Sequence, residues 1–259
     1  RTDPHAPVTH CMKDLLIGHR GEPDSWPENS LAGFAAVLAA GARYIETDVQ
    51  LTADSIPVLS HDPSLLRVTG QDVVITDTAY EQVRAVPTGY PERFGDRYRT
   101  FRIARLDEFV GLLKQWPQAK AFVEIKHDSI AVHGQAHVID TVMDIISPVA
   151  TQCMLISFDY AALVYVRKHY RVPIGWVLPE WSAANQARAV ELGPEYLFCN
   201  RKRLPAESEP LWRGPWQWAI YTIDDPAEAN AYLERGSDLI ETNAIRRMIS
   251  AVRNGGSRA

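Results

Sequence analysis

The stretch Leu15-Leu16-Ile17-Gly18-His19-Arg20-Gly21-Glu22-Pro23 decides how this chain is read. An apolar run ends in two basic residues set between glycines. Glu22-Pro23 follows, not a helix start. A doubly wound dinucleotide-binding sheet would carry a glycine-rich fingerprint opening a helix at this point. Its absence turns the reading towards a (β/α)8 barrel, in which catalytic groups gather at the C-terminal ends of the strands.

Working outward from that run, short apolar segments alternate with longer helical patterns, as βα units around a parallel sheet do. Strands are expected at Leu15–His19, Tyr44–Val49, 121–125, 154–157, 172–178, 196–199, 218–222 and 238–241, with a hairpin extension at 57–60. Leu31, Phe34, Ala35 and Leu38 recur at helical spacing and stop near Gly41. Further helical patterns cover roughly 131–146, 160–169, 183–192, 226–235 and 245–253. Eight strands with intervening helices in one chain of 259 residues predict an α/β fold, a single-domain (β/α)8 TIM barrel. The segment from Asp62 to Arg105 holds Gly70, Pro87, Gly89, Pro91 and Gly95 and reads as an irregular insertion after strand two. The loop is expected to act as a lid or mobile segment. Residues 12–259 form the barrel domain. Met12 reads as a natural start, and residues 1–11 as a tag remnant or an N-terminal extension.

Composition narrows the function classes. The chain is 46% hydrophobic and 23% charged, which excludes disorder as its main state. Its net charge of -5 argues against a nucleic-acid binder, which needs a basic face. No run of roughly 18 apolar residues exists, so no membrane insertion is expected. The 3 cysteines, Cys11, Cys153 and Cys199, are too few and scattered for a disulfide framework. A reducing, cytoplasmic setting is mildly favoured; a secreted protein without disulfides would look the same.

Candidate chemistry lies at the expected strand ends. Strand one ends in His19-Arg20, strand two carries Glu46 and Asp48 with His61-Asp62 after its hairpin, and strand three ends in Glu124-Ile125-Lys126. Glu46 and Asp48 are spaced i, i+2 and leave one face of a strand, as do Glu124 and Lys126. Taken singly, each has an ordinary structural role: rim salt bridges, a turn cap at Asp62, a helix N-cap around Asn29. Together they suit a hard divalent cation, Mg²⁺ or Ca²⁺, with zinc less suited to an oxygen-rich set. Two histidines beside a metal and two fixed cations suit phosphoryl chemistry.

The series Gly18-His19-Arg20-Gly21, Pro27-Glu28-Asn29-Ser30, Gly41-Ala42, Ile45-Glu46-Thr47-Asp48-Val49, Pro57-Val58, His61-Asp62 and Leu66-Arg67-Val68-Thr69-Gly70 resembles the glycerophosphodiester phosphodiesterase family, in its compact bacterial type. Glu124-Ile125-Lys126, Ser157-Phe158, Tyr221-Thr222, Asp225-Pro226, Gly236 and Asp238 extend the resemblance over most of the chain. It implies metal-dependent hydrolysis of glycerophosphodiesters to glycerol 3-phosphate and an alcohol. It implies His19 and His61 as the acid–base pair, Glu46, Asp48 and Glu124 as metal ligands, and Arg20 and Lys126 on the phosphate. Asn29, Phe158, Trp176 and Tyr221 are candidates for the substrate pocket, and Trp181 is a weaker one. An open leaving-group pocket would make alcohol specificity broad.

Two departures from the family pattern stand out. Tyr221 occupies the place of a frequent tryptophan. The end of strand eight reads Glu241-Thr242-Asn243-Ala244-Ile245, where threonine, aspartate and a later proline are frequent. Neither is expected to touch the metal or acid–base groups. Three rivals remain at this point: a lysophospholipase D-type hydrolase on the same barrel, a Schiff-base lyase built on Lys126, and a non-catalytic phosphate-binding barrel.

Overall fold

The computed structural model describes residues 12–206 and 209–255. The expectation for residues 1–11 lies outside these. The barrel strands are β1 (Leu16–Gly18), β2 (Tyr44–Leu51), β4 (Lys120–Ile125), β5 (Cys153–Ser157), β6 (Ile174–Val177), β7 (Tyr196–Asn200), β8 (Gln217–Tyr221) and β9 (Leu239–Thr242), with β3 (Pro57–Leu59) beside β2. Neighbouring barrel strands run parallel, and β1 pairs with both β2 and β9, so the sheet closes. The strand β3 lies antiparallel on the far end of β2, Val49 opposite Leu59, and makes the expected hairpin extension.

Closure divides each strand into two faces. The inward residues Ile17, Phe122, Ile156, Val177, Phe198 and Leu239 pack together as the barrel's inner core. The outward residues, among them Leu16, Ile45, Val123, Leu155, Ile174 and Leu197, pack against the helices in a larger second core. The bore is tight enough that β6 needs glycine. A Cβ on Gly175 would lie 2.8 Å from the Ile156 side chain.

Side chains alternate along a strand, so the next inward position after each inner-core residue lies at the mouth. The step leads from Ile17 to His19, from Phe122 to Glu124, from Phe198 to Asn200 and from Leu239 to Glu241. The site is therefore a layer of polar residues set on a hydrophobic floor.

Three details differ from expectation. The helical pattern at 131–146 is two helices, His127–His133 and Gln135–Ile146. Gly134 breaks it with φ +84, and its N–H donates to the Ile130 carbonyl. A helix absent from the sequence reading, Leu106–Leu113, buries Leu106, Phe109, Val110 and Leu113 on one face. The segment 62–105 is not a free loop. Its short helices enclose a core of Leu65, Ile75, Tyr80, Val83, Val86 and Ile103 that extends to Val58 of β3.

Candidate active site

The mouth holds a cavity of about 290 Å³. On one side β1, β2, β4 and β9 supply His19, Arg20, Glu46, Glu124 and Glu241, with His61 from the loop after β3. Asp48 sits opposite Glu124 in the register. All four carboxylates are nearly buried. Ligand oxygens of Glu46, Asp48 and Glu124 lie within 4.8 Å of one another, and a second such group joins His19, Glu46 and Glu241.

Fixed cations hold part of this charge. The Lys126 ammonium donates to Glu124 Oε1 at 2.9 Å and Asp48 Oδ1 at 3.0 Å. Arg20 Nε lies 3.1 Å from Asp48 Oδ2, an ion pair lacking hydrogen-bond alignment. Burial alone would raise the Asp48 pKa. The Lys126 and Arg20 charges instead hold this carboxyl far below its usual range. Burial of Lys126 is likewise outweighed by Asp48 and Glu124, which raise it and oppose the neutral amine a Schiff-base lyase needs.

Glu46 and Glu124 are less well matched. Glu46 Oε2 accepts the Arg20 backbone N–H at 3.1 Å, but Oε1 is buried without a hydrogen bond. Burial raises the Glu46 pKa, and the charges of Asp48, Glu241 and Glu124 add to it. Burial also raises Glu124, against the pull of Lys126. An orphaned carboxylate oxygen amid converging carboxylates fits a divalent cation, whose charge would restore the ionised forms. The donors are hard oxygens, which suit Mg²⁺ or Ca²⁺.

Each histidine is oriented from behind. Asn243 donates to Asp224 through its backbone N–H (2.7 Å) and its amide (3.5 Å), so its Oδ1 faces His19 Nδ1 at 2.7 Å. That contact puts the proton on Nδ1 and leaves a lone pair on Nε2. Burial and the Arg20 charge push the His19 pKa down to about 4, so the ring is neutral near pH 7. His61 Nδ1 lies 2.6 Å from Asp62 Oδ1. Burial lowers its pKa against the pull of Asp48, with Arg20 and Lys126 adding to the lowering. Asp62 is held by Arg67, Arg67 grips both oxygens of Glu28, and Glu28 reaches Arg20. One ionic chain thus ties the second histidine to the arginine beside the first.

The pocket candidates divide. Phe158 and Tyr221 line the cavity. Trp176 does not, because Gly175 and Val177 take the inward positions of β6. Its ring is buried among the helix-facing residues, and its Nε1 donates to the Phe158 carbonyl at 3.3 Å. Trp181 also packs outward, stacked on Trp212 at 4.0 Å. Asn29 lies behind the site: its amide donates to Asp48 Oδ2 at 3.0 Å while its Oδ1 accepts from Thr47 Oγ1 and the Asp48 N–H. It does not line the cavity. The end of strand eight also departs from expectation, since Asn243 orients His19 and Glu241 stands beside His19 and Glu46. Asn200, Arg203 and Thr222 also line the cavity, beside the apolar Ile156, Val177 and Phe198, and lie outside the sequence expectation. Alternation along β7 and β9 would have turned Asn200 and Glu241 inward.

The model of the Glycerophosphoryl diester phosphodiesterase family matches residues 19–247. A protein named glycerophosphodiester phosphodiesterase from Caldanaerobacter subterraneus subsp. tengcongensis is 28% identical over 95% of this chain and 100% of its own. A phosphodiesterase of Oleispira antarctica, solved in complex with the product sn-glycerol-3-phosphate, superposes with a TM-score of 0.79 at 22% identity, over 92% of this chain and 96% of that one. A glycerophosphodiester phosphodiesterase from Thermotoga maritima gives 0.68 at 23%, over 92% and 98%. These structures share the fold. Among the described residues, no helix is long and apolar enough to cross a membrane.

Proposed function

This chain belongs to the glycerophosphoryl diester phosphodiesterase family and is a phosphodiesterase; from that premise we propose metal-dependent hydrolysis of glycerophosphodiesters to glycerol 3-phosphate and an alcohol, with His19 and His61 moving the protons. One observation carries the reading: two oriented histidines, Arg20, Glu46 and Glu124 line one cavity, and Asp48 and Lys126 are bonded directly to that set. The relative crystallised with sn-glycerol-3-phosphate supports the choice of product.

Glu46, Asp48 and Glu124 would hold a divalent cation, Mg²⁺ or Ca²⁺, which supplies charge against the negative charge growing on the phosphoryl oxygens. Arg20 and Lys126 bind and orient the same oxygens. One imidazole accepts the proton of the attacking hydroxyl as its oxygen bonds to phosphorus. The other donates a proton to the departing alkoxide as the second P–O bond breaks. Attack by water gives glycerol 3-phosphate directly; attack by a glycerol hydroxyl gives a cyclic phosphate, which water then opens with the two imidazoles exchanging roles. His19 suits the accepting role, since it is neutral with a free Nε2 lone pair. His61 takes the donating role, in which the Asp62 carboxylate on Nδ1 and the Asp48 charge favour the protonated ring against the lowering by burial. Glycerol hydroxyls face the carboxylate side of the cavity, where Glu46, Glu124 and Glu241 accept hydrogen bonds.

The test is glycerol 3-phosphate release from glycerophosphocholine and glycerophosphoglycerol, with Mg²⁺ or Ca²⁺ and an EDTA control. Release should stop in EDTA and fall roughly 10²–10⁴-fold in His19→Ala. Undiminished release in EDTA would overturn the metal dependence, and an unimpaired His19→Ala the proton assignment.

A further inference from the structure

Across the mouth from the carboxylates, the cavity changes character. Ile156, Phe158, Val177, Phe198, Asn200 and Arg203 line this half. If the phosphate is held by Arg20 and Lys126 and the glycerol hydroxyls by the carboxylate side, the leaving alcohol points here. Its surroundings are apolar apart from Tyr221, Thr222, one amide and one guanidinium.

Arg203 differs from the other arginines of the mouth. Arg20 and Arg67 are each paired with carboxylates. Arg203 forms no ion pair among the described residues. Its Nη1 donates only to the Leu178 carbonyl, at 3.2 Å. The guanidinium lies over the Phe158 ring, 6.0 Å from the centroid. It thus occupies the aromatic face that a quaternary ammonium group would otherwise take. Asn200 Oδ1 is engaged by the Lys202 N–H at 3.0 Å, which leaves its amide N–H groups to donate. A guanidinium fork with an amide donor beside it matches a carboxylate or phosphate, and repels a cation.

We propose that Arg203 and Asn200 form an anion-selecting subsite for the leaving alcohol, so that the enzyme prefers glycerophosphodiesters whose alcohol carries an acid group over those whose alcohol carries a cation. This rests on the phosphodiesterase reading above. It narrows the broad alcohol specificity expected from the sequence.

Three diesters sharing the glycerophosphate half test it: those of 3-hydroxypropanoate, glycerol and choline. The order of kcat/KM should follow charge, with the carboxylate diester about tenfold above the choline diester. In Arg203→Gln that ratio should fall to within about twofold, and Arg203→Lys should keep part of it. Because Arg203 is exposed, about 0.5 M salt should compress the wild-type ratio as well. Cleavage of all three diesters without a charge order would overturn the subsite and leave the activity standing. So would an order unchanged in Arg203→Gln. Cleavage of none would overturn the phosphodiesterase reading and the subsite with it.

Discussion

Two halves of one barrel mouth stand on the same floor, yet differ in what they do for the protein. On β5–β8 the inward positions Ile156, Val177 and Phe198 remain apolar almost to the rim, and all are buried. On β2, β4 and β9 the layer above that floor holds Glu46, Asp48, Glu124 and Glu241, which are also buried. Burial stabilises the first set and penalises the second. The fold is thus held by one half so that charge can be held by the other. Arg20 and Lys126 offset only part of that charge, and an orphaned oxygen on Glu46 remains.

The contrast breaks most visibly if the apolar half is cut. Phe198 is 1% exposed and meets Phe122 edge-on at 4.9 Å. Phe198→Ala should cost about 3–5 kcal/mol in denaturant unfolding. A loss below about 1 kcal/mol would mean that this half does not carry the core. On the charged half a smaller effect is expected from a residue that touches no substrate. Asn243→Ala removes the acceptor that fixes His19 Nδ1–H. Activity should fall about 10–100-fold, the size seen when the orienting partner of a functional histidine is lost. The loss should lie in kcat rather than KM, and Asn243→Asp should recover part of it. An equal loss in the Asp variant, or a change confined to KM, would show that Asn243 does not act through the ring.

Much of this site is legible in the alternation of β2 and β4. Spacing i, i+2 placed Glu46 with Asp48 and Glu124 with Lys126, and the structure keeps both pairs on the inner face. The same rule on β6 would have turned Trp176 outward once Val177 was taken as inward. On β9 it would have brought Glu241 into the site. Other features needed the closed fold. The contacts of Asn243 with His19 and of Arg67 with Glu28 join residues 224 and 39 positions apart, and nothing local signals them. The helix Leu106–Leu113 was legible in principle, since Leu106, Phe109, Val110 and Leu113 have helical spacing. The glycine- and proline-rich segment before it masked the pattern.

Glu241 offers the finest test of the two halves, because its charge can be removed with little change of shape. Burial pushes its pKa up to about 8, with the Glu124 charge adding to the rise. The unfolded chain releases this proton near 4.5. Between those values the folded state binds more protons than the unfolded state, so stability falls as pH rises. The contribution is fully present below about pH 4.5 and is lost as pH passes 8. Glu241→Gln cannot ionise and escapes that loss. In EDTA, the variant should match the wild type at low pH and exceed it by a margin that grows as pH rises towards 8. Mg²⁺ or Ca²⁺ should narrow the gap, since a cation at Glu46 and Glu124 weakens the repulsion that Glu241 meets. A gap independent of pH would mean that the introduced amide gains by packing or hydrogen bonding. The cost of the charged half would then have to reside in Glu46 and Glu124 alone.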